Sequence, residues 1–149
     1  MKKVILLVHL CLLAFVMNVS AQAVQVKVVN NTSCDVYYTL LGDKKGSCSP
    51  AISGPFMTLA PGGSVLYNAS VIPPLAAGDW INGAYVYTSM SWCPAFTAYK
   101  VGEPCTGWPA SASYFVYDAT TACRVCKDVM ITAKWISGGT GGTATLVFN

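Results

Sequence analysis

The sequence predicts an all-β fold: an antiparallel β-sandwich of about eight short strands, stabilised by disulfide bonds and preceded by a cleaved signal peptide. Three observations favour this class. Short segments in which apolar and polar residues alternate recur along the chain, which is typical of half-buried strands. Turn sequences rich in glycine, proline and asparagine separate these segments. Six cysteines follow an apolar leader, as in small exported domains.

Residues 1–23 have the layout of a secretory signal peptide. Lys2 and Lys3 give a positive start, an apolar run extends over Val4–Val16, and small residues allow cleavage after Ala21 or Ala23. The alternative is a membrane anchor, but the run is shorter than the roughly 20 residues of a spanning helix. We therefore expect no stable membrane span, a secreted, periplasmic or cell-envelope location, and one domain over residues 24–149.

Removal of the leader changes the chemistry that is available. It takes away Lys2, Lys3 and the single histidine, His9, and leaves seven basic against six acidic residues, a net charge of +1. A clustered basic footprint for nucleic acid is absent from this sequence. The mature chain also lacks imidazole, the commonest general base and metal ligand, and its acids are scattered rather than paired as glycosidases require. We expect no enzyme activity, no cofactor, no metal and no nucleic-acid partner.

The first two predicted strands are Val24–Val29 and Cys34–Leu41. In each, valine, tyrosine or leucine occupies every second position, which indicates a strand with one buried face. Asn30-Asn31-Thr32-Ser33 between them is a turn cluster, because asparagine tolerates left-handed backbone and forms local hydrogen bonds. We expect these two strands to be neighbours.

Two short strands follow, Phe56–Leu59 and Ser64–Ala69. They flank Pro61-Gly62-Gly63, where proline presets one dihedral angle and glycine accepts positive φ. Pro73-Pro74 then interrupts the pattern, because proline cannot donate a hydrogen bond to a sheet. The next strand is predicted over Gly83–Met90.

The last part of the chain contains four predicted strands. Phe96–Val101 and Ser113–Asp118 are short and aromatic, which favours strands. Val129–Trp135 and Thr143–Phe148 alternate most clearly, and the glycine-rich turn Ser137–Gly142 separates them. A connection this short predicts an antiparallel hairpin, because parallel strands need a longer crossover.

Six cysteines follow the leader, and we interpret all of them as structural disulfides of an oxidising compartment. They are Cys34, Cys48, Cys93, Cys105, Cys123 and Cys126. The sequence does not fix their connectivity. Cys34 can pair with Cys48 or with the later cluster, and Cys123 and Cys126 can pair with each other or with Cys93 or Cys105.

Cys123-Arg124-Val125-Cys126 also has the spacing of a thiol–disulfide redox motif. Such a motif needs a thioredoxin-like βαβ context, and strands surround it here. A zinc site would need a second close pair of ligands. The structural disulfide is therefore the favoured interpretation, and a redox protein that uses Cys123 and Cys126 is the alternative.

Aromatic residues provide the candidate ligand contacts, and two interpretations of them are open. Those selected are Trp80, Tyr85, Tyr87, Trp92 and Trp108, with Tyr99 as a further member. They can form a face on which sugar rings stack, which a sparsely charged surface would suit. Alternatively, they fill a β core with their polar ends at its edge. Alternation places Tyr85 and Tyr87 on one face of the strand but does not determine whether that face is exposed to solvent. We favour the core-filling interpretation.

Three segments carry a resemblance. They are Val28-Val29-Asn30-Asn31-Thr32-Ser33-Cys34-Asp35-Val36-Tyr37-Tyr38-Thr39-Leu40, Gly46-Ser47-Cys48 and Pro61-Gly62-Gly63-Ser64. Together they resemble small secreted bacterial β-sandwich proteins of unassigned function. The resemblance implies a disulfide-bearing β-sandwich and no activity. Thaumatin-like proteins open with a similar Val-Asn-Asn strand, but they have more cysteines and an acidic cleft that this chain lacks.

These observations lead to one functional expectation. We expect a non-enzymatic binding or structural module outside the cell or at its envelope, with a glycan or a protein as partner. A thiol–disulfide protein and a carboxylate hydrolase are the enzymatic alternatives, and a secreted effector is a third class.

Overall fold

The computed structural model describes residues 22–45, 47–93, 96–115 and 129–149. These residues form ten strands and two 3₁₀ turns, so the all-β class is confirmed. The strands are β1 (Gln25–Asn30), β2 (Val36–Asp43), β3 (Ile52–Ser53), β4 (Met57–Leu59), β5 (Ser64–Asn68), β6 (Trp80–Tyr87), β7 (Ala98–Gly102), β8 (Ser111–Phe115), β9 (Met130–Ile136) and β10 (Thr143–Phe148). The 3₁₀ turns are Ala69–Val71 and Pro104–Thr106.

The strands form two sheets of five. The terminal sheet, named for the strands nearest the chain ends, has the order β5-β1-β10-β9-β8. The central sheet has the order β3-β2-β6-β7, and β4 also pairs with β2. The β9–β10 hairpin is antiparallel, with Leu146 opposite Trp135, as the short glycine-rich turn predicted.

One pair departs from the predicted antiparallel arrangement. β1 runs parallel to β10, from Gln25 opposite Thr143 to Asn30 opposite Phe148. These strands lie at opposite ends of the domain sequence, so no short turn restricts their direction. A parallel pair needs only a long connection, and here most of the chain supplies it.

The prediction that the first two strands are neighbours is wrong, because β1 and β2 lie in different sheets. The buried side chain of Asn30 explains the change of sheet. Its Nδ2 donates to the carbonyl oxygens of Cys34 (2.6 Å) and Leu59 (2.9 Å). Its Oδ1 accepts from the backbone N–H (3.0 Å) and the hydroxyl (2.7 Å) of Thr32. These four bonds hold a turn that carries the chain from the terminal to the central sheet.

Most strand boundaries differ from the predicted ones by a few residues. Thr143–Phe148 has its predicted bounds, whereas β6 begins at Trp80 and ends at Tyr87. The strand predicted from Ser113 begins at Ser111, and its predicted continuation after Phe115 lies outside the described residues. The two-residue strand β3 was not predicted, because two positions are too few to show alternation.

Both sheets contribute to one buried core. Its largest fully buried side chain is Tyr38, on β2 of the central sheet. The Tyr38 hydroxyl hydrogen-bonds to the hydroxyl of Tyr67 at 2.9 Å, and its ring centroid lies 6.0 Å from that of Phe148. Burial, followed by the bond to Tyr67, raises the pKa of the Tyr38 phenol. Tyr67 and Phe148 belong to the terminal sheet, so Tyr38 connects the two sheets.

A disulfide bond joins Cys48 to Cys105, with Cα atoms 5.9 Å apart across 57 residues of sequence. A loop of this length corresponds to about 4 kcal/mol of stabilisation in the chain-entropy model. The bond excludes the pairing of Cys34 with Cys48, and it removes Cys105 as a partner for the later cysteines. Cys34 and Cys93 are disulfide-bonded as well. Cys123 and Cys126 lie outside the described residues.

Within the described ranges, no helix is both long enough and apolar enough to cross a membrane. Residues 1–21 of the predicted leader are not among them.

Candidate functional site

The face of the central sheet that points away from the core carries aromatic side chains. On β6, Ala84 and Val86 are fully buried in the core. Tyr85 and Tyr87 alternate with them and are half-buried on the opposite face. We call this opposite side the outer face of the central sheet.

Four rings on this face form a continuous line, the aromatic row: Trp108, Tyr85, Tyr87 and Phe96. The ring centroids of Trp108 and Tyr85 are 5.9 Å apart, and those of Tyr85 and Tyr87 are 6.4 Å apart. Phe96 continues the row, stacked on Tyr87 at 4.9 Å with an interplanar angle of 20°. These distances are typical of aromatic pairs that attract each other.

Two more rings widen the row at the Phe96 end. Phe56, in the loop before β4, lies 5.1 Å from Tyr87 and 6.5 Å from Phe96, and 40% of its surface is exposed. Tyr37 on β2 stacks on Phe56 at 5.7 Å and pairs in register with Tyr87. Tyr37 is itself buried, and this burial, followed by the charge of Asp35, raises the pKa of its phenol.

Trp108 reaches the row because a tight turn follows β7. Gly107 has φ +72°, a left-handed conformation that glycine adopts readily. The Thr106 hydroxyl donates to the Glu103 carbonyl oxygen (2.7 Å) and accepts from the Trp108 N–H (3.0 Å), which fixes the turn. The disulfide at Cys105 ties the same turn to Cys48.

Gly83 makes room for the Trp108 ring. A Cβ atom at Gly83 would lie 3.0 Å from Cζ3 of Trp108 and 2.7 Å from the carbonyl oxygen of Val101. Gly83 precedes Tyr85 by two positions on the same face of β6. The Trp108 indole therefore occupies the space above Gly83 that the side chain of a larger residue at this position would fill.

Lys100 adds a positive charge at the Trp108 end of the row. It lies on β7 directly opposite Tyr85. Its Nζ is 5.2 Å from the centroid of the Trp108 ring and 5.8 Å from that of Tyr85. At these distances the negative faces of the rings attract the ammonium group.

The structure brings together three of the five predicted aromatics, Tyr85, Tyr87 and Trp108. The β2–β6 pairing contains a bulge, because Leu41 pairs with Gly83 but the next residue, Gly42, pairs with Ile81. Trp80, the first residue of β6, lies on the other side of this bulge from Tyr85 and Tyr87. Trp92 lies between β6 and β7 and is 63% exposed. Neither is among the ring pairs found within the described residues.

None of the five predicted aromatics belongs to the buried core, since four of them are half-buried and Trp92 is exposed. Tyr99 is exposed as well, and its ring stacks at 5.4 Å on that of the buried Tyr114, where β7 approaches β8 of the other sheet. Burial raises the pKa of the Tyr114 phenol.

Sequence reasoning missed four members of the site: Tyr37, Phe56, Phe96 and Lys100. Alternation on β2 places Tyr37 on the face opposite Tyr38, and this signal was present in the sequence. Phe56 and Phe96 come from loops and join the row only through tertiary contacts. Lys100 faces Tyr85 because of the β6–β7 register, which alternation does not determine.

One acid is unusual among the described residues. Glu103 follows β7 and is fully buried, and neither of its carboxylate oxygens has a hydrogen-bond partner there. Among the described residues, the buried side-chain amide of Asn82 also lacks a hydrogen-bond partner. The backbone carbonyl oxygen of Asn82 accepts a hydrogen bond from the backbone N–H of Glu103 at 2.8 Å. Within the same ranges, no three histidine, cysteine or acidic side chains group as metal ligands. The Glu103 carboxylate is therefore enclosed by the fold and does not lie on an accessible surface.

Comparisons with protein-family models, with curated proteins and with solved structures found no significant match to this chain.

Proposed function

We propose that this chain is an exported, non-enzymatic binding module that holds a carbohydrate on the outer face of the central sheet. The aromatic row carries the proposal, because Tyr85 contacts both Trp108 and Tyr87 and all three rings are only half-buried. Sugar rings present apolar C–H faces that pack against aromatic rings. Phenol and indole groups add a polar edge that hydrogen-bonds to sugar hydroxyls.

The scaffold suits this role because the row rests on paired strands. The β2–β6 pairing extends from Tyr37 opposite Tyr87 to Asp43 opposite Trp80, directly beneath the row. Tyr85 and Tyr87 lie on a strand, and hydrogen bonds and a disulfide fix the turn that carries Trp108, so less ordering entropy opposes binding. The shared core supports a sandwich arrangement in which one sheet presents the row and the other lies behind it.

Export is part of the proposal. The Cys48–Cys105 disulfide is typical of oxidising compartments outside the cytosol. Ala23 is fully buried, and its carbonyl oxygen accepts the Ile81 N–H at 2.9 Å. Gln22 is also buried and donates through Nε2 to the Ser47 carbonyl oxygen at 2.8 Å. Because both residues belong to the fold, we expect cleavage after Ala21, and intact-mass measurement of the exported protein should identify Gln22 as its first residue.

A glycan array followed by calorimetry tests the binding function. Trp108→Ala and Tyr85→Ala should each weaken binding of the selected glycan roughly tenfold or more, as loss of an aromatic anchor does. Phe115→Ala is the matched control, since Phe115 is 56% exposed on the terminal sheet. It should leave the affinity unchanged.

Two results would contradict the proposal. One is a glycan affinity that neither row variant alters while both variants remain folded by circular dichroism. The other is a dimer, detected by sedimentation, that the row variants convert to monomer, because the row would then be a contact between copies of the chain.

A further inference from the structure

We propose that the row binds an extended, carboxylate-bearing oligosaccharide, and that the Lys100 ammonium group receives a sugar carboxylate at the Trp108 end. This inference rests on the proposed carbohydrate-binding function and adds the class of ligand to it.

The shape of the row indicates an extended ligand. Trp108 covers Gly83, and Tyr85 and Tyr87 follow at every second position of β6. At about 3.4 Å per residue, the stretch from Gly83 to Tyr87 spans roughly 14 Å. Phe96 lies beyond Tyr87, so the rings cover more length than one sugar ring occupies. A chain of several sugar units can contact the whole row at once.

Lys100 indicates the charge of the ligand. The described partners of its ammonium group are the rings of Trp108 and Tyr85. An ammonium has three N–H donors, and contact with ring faces leaves them able to bond to an incoming oxygen anion. Asp43, the acid at the end of β2, accepts the Ser49 N–H at 3.0 Å and pairs in register with Trp80 rather than with the row. Charge complementarity therefore favours a sugar acid.

The probes are galacturonic-acid oligomers of two, four and six units, and the same oligomers with their carboxyl groups methyl-esterified. The esters keep the ring shape and lose the charge. Calorimetry at low salt should show roughly 1.5-fold to fivefold tighter binding of the acidic form, the range for one exposed charged pair. Affinity should also rise from two to four units, because more rings are then covered.

The variants assign this preference to one side chain. Lys100→Gln should remove the preference for the acidic form, so that the acid and the ester bind with equal affinity. Lys100→Arg should keep the preference, because it keeps the charge. Lys134→Gln is the control, since Lys134 is an exposed lysine on β9 of the terminal sheet, and it should behave as the parent protein does.

The outcomes separate this inference from the function on which it rests. Equal binding of acid and ester, or a preference that survives Lys100→Gln, overturns the inference. Binding of neutral glycans that requires Tyr85, together with no binding of the galacturonates, also overturns it and leaves the proposed function standing. Absence of binding to any glycan contradicts both.

Discussion

The outer faces of the two sheets are built from the same alternation of strands but differ in chemistry. On the terminal sheet, the outward positions of β1, β9 and β10 include Lys27, Thr132, Lys134 and Thr145. On the central sheet, the corresponding positions carry Tyr37, Tyr85 and Tyr87, and Trp108 and Phe96 lie beside them. The outer face of the terminal sheet is an ordinary solvent-facing surface. Folding of a sheet in this protein therefore does not by itself require an aromatic outer face like that of the central sheet.

Exposed apolar residues on the terminal sheet do not weaken this contrast. Leu66 lies on the edge strand β5, and Phe115 pairs with Met130 where β8 ends. Single exposed apolar side chains, or one cross-strand pair such as Phe115 and Met130, are common on folded proteins. A connected set of rings is different, because every member contacts another, and connected apolar patches mark binding surfaces more often than scattered residues do.

The largest expected effect comes from removing the disulfide bond at the turn that precedes Trp108. The double variant Cys48→Ser, Cys105→Ser should lose about 4 kcal/mol of unfolding free energy, since its unfolded chain is no longer constrained by the loop. Trp108 follows Cys105 closely, so glycan affinity should fall as well. Urea denaturation measures the first effect and calorimetry the second.

Hydrogen exchange determines whether that loss is local to one face. Amides of β6 and β7 should lose protection before those of β9 and β10 in the double variant, because the disulfide anchors the turn after β7. Equal loss of amide protection in both sheets would contradict the expectation that the disulfide stabilises the central sheet locally. The parent protein should show no titratable thiol in its native state, and a reactive pair at Cys123 and Cys126 would favour the redox alternative instead.

The sequence predicted those parts of the fold that depend on local patterns. Thr143–Phe148 and its antiparallel hairpin partner were predicted because alternation and a glycine turn together define them. The predicted pairing of the first two strands failed because Asn30 forms its bonds with Cys34 and Leu59, and no periodicity reports such bonds. Local pattern therefore predicts a strand more reliably than it predicts the sheet to which the strand belongs.

The candidate site was predicted only in part for a related reason. Alternation placed Tyr85 and Tyr87 on one face, but it did not determine which face is buried, because both faces of β6 carry large or apolar residues. Trp108, Phe96 and Lys100 join them through a turn, a loop and a strand register. Those contacts depend on residues far apart in the chain, which no short window of sequence contains.

A smaller effect is expected from filling the space beneath Trp108. Gly83→Ala places a methyl group 2.7 Å from the backbone oxygen of Val101 and 3.0 Å from the indole. Because the backbone atom cannot move freely, we expect a loss of about 1–3 kcal/mol in unfolding free energy. We also expect weaker glycan binding as the indole is displaced.

Gly78→Ala is the matched control for this substitution, since a methyl group there meets no atom within 4 Å. Its unfolding free energy should stay within about 0.5 kcal/mol of the parent value. Thermal denaturation and quenching of tryptophan fluorescence by acrylamide distinguish the two variants. If Gly83→Ala is as stable as Gly78→Ala and its fluorescence is unchanged, the indole does not lie on Gly83.

The smallest expected effect compares one phenylalanine from each face. Phe56 is 40% exposed and contacts Tyr37, Tyr87 and Phe96, whereas Phe115 is 56% exposed on the terminal sheet. Phe56→Ser should cost about 1 kcal/mol, because aromatic pairs contribute roughly 0.5–1.5 kcal/mol beyond area burial. Phe115→Ser should cost less than about 0.5 kcal/mol. Near-ultraviolet circular dichroism, which senses coupled aromatic rings, should change for Phe56→Ser alone. Equal changes in unfolding free energy and in this signal for both variants would mean that the ring contacts of Phe56 do not contribute to stability.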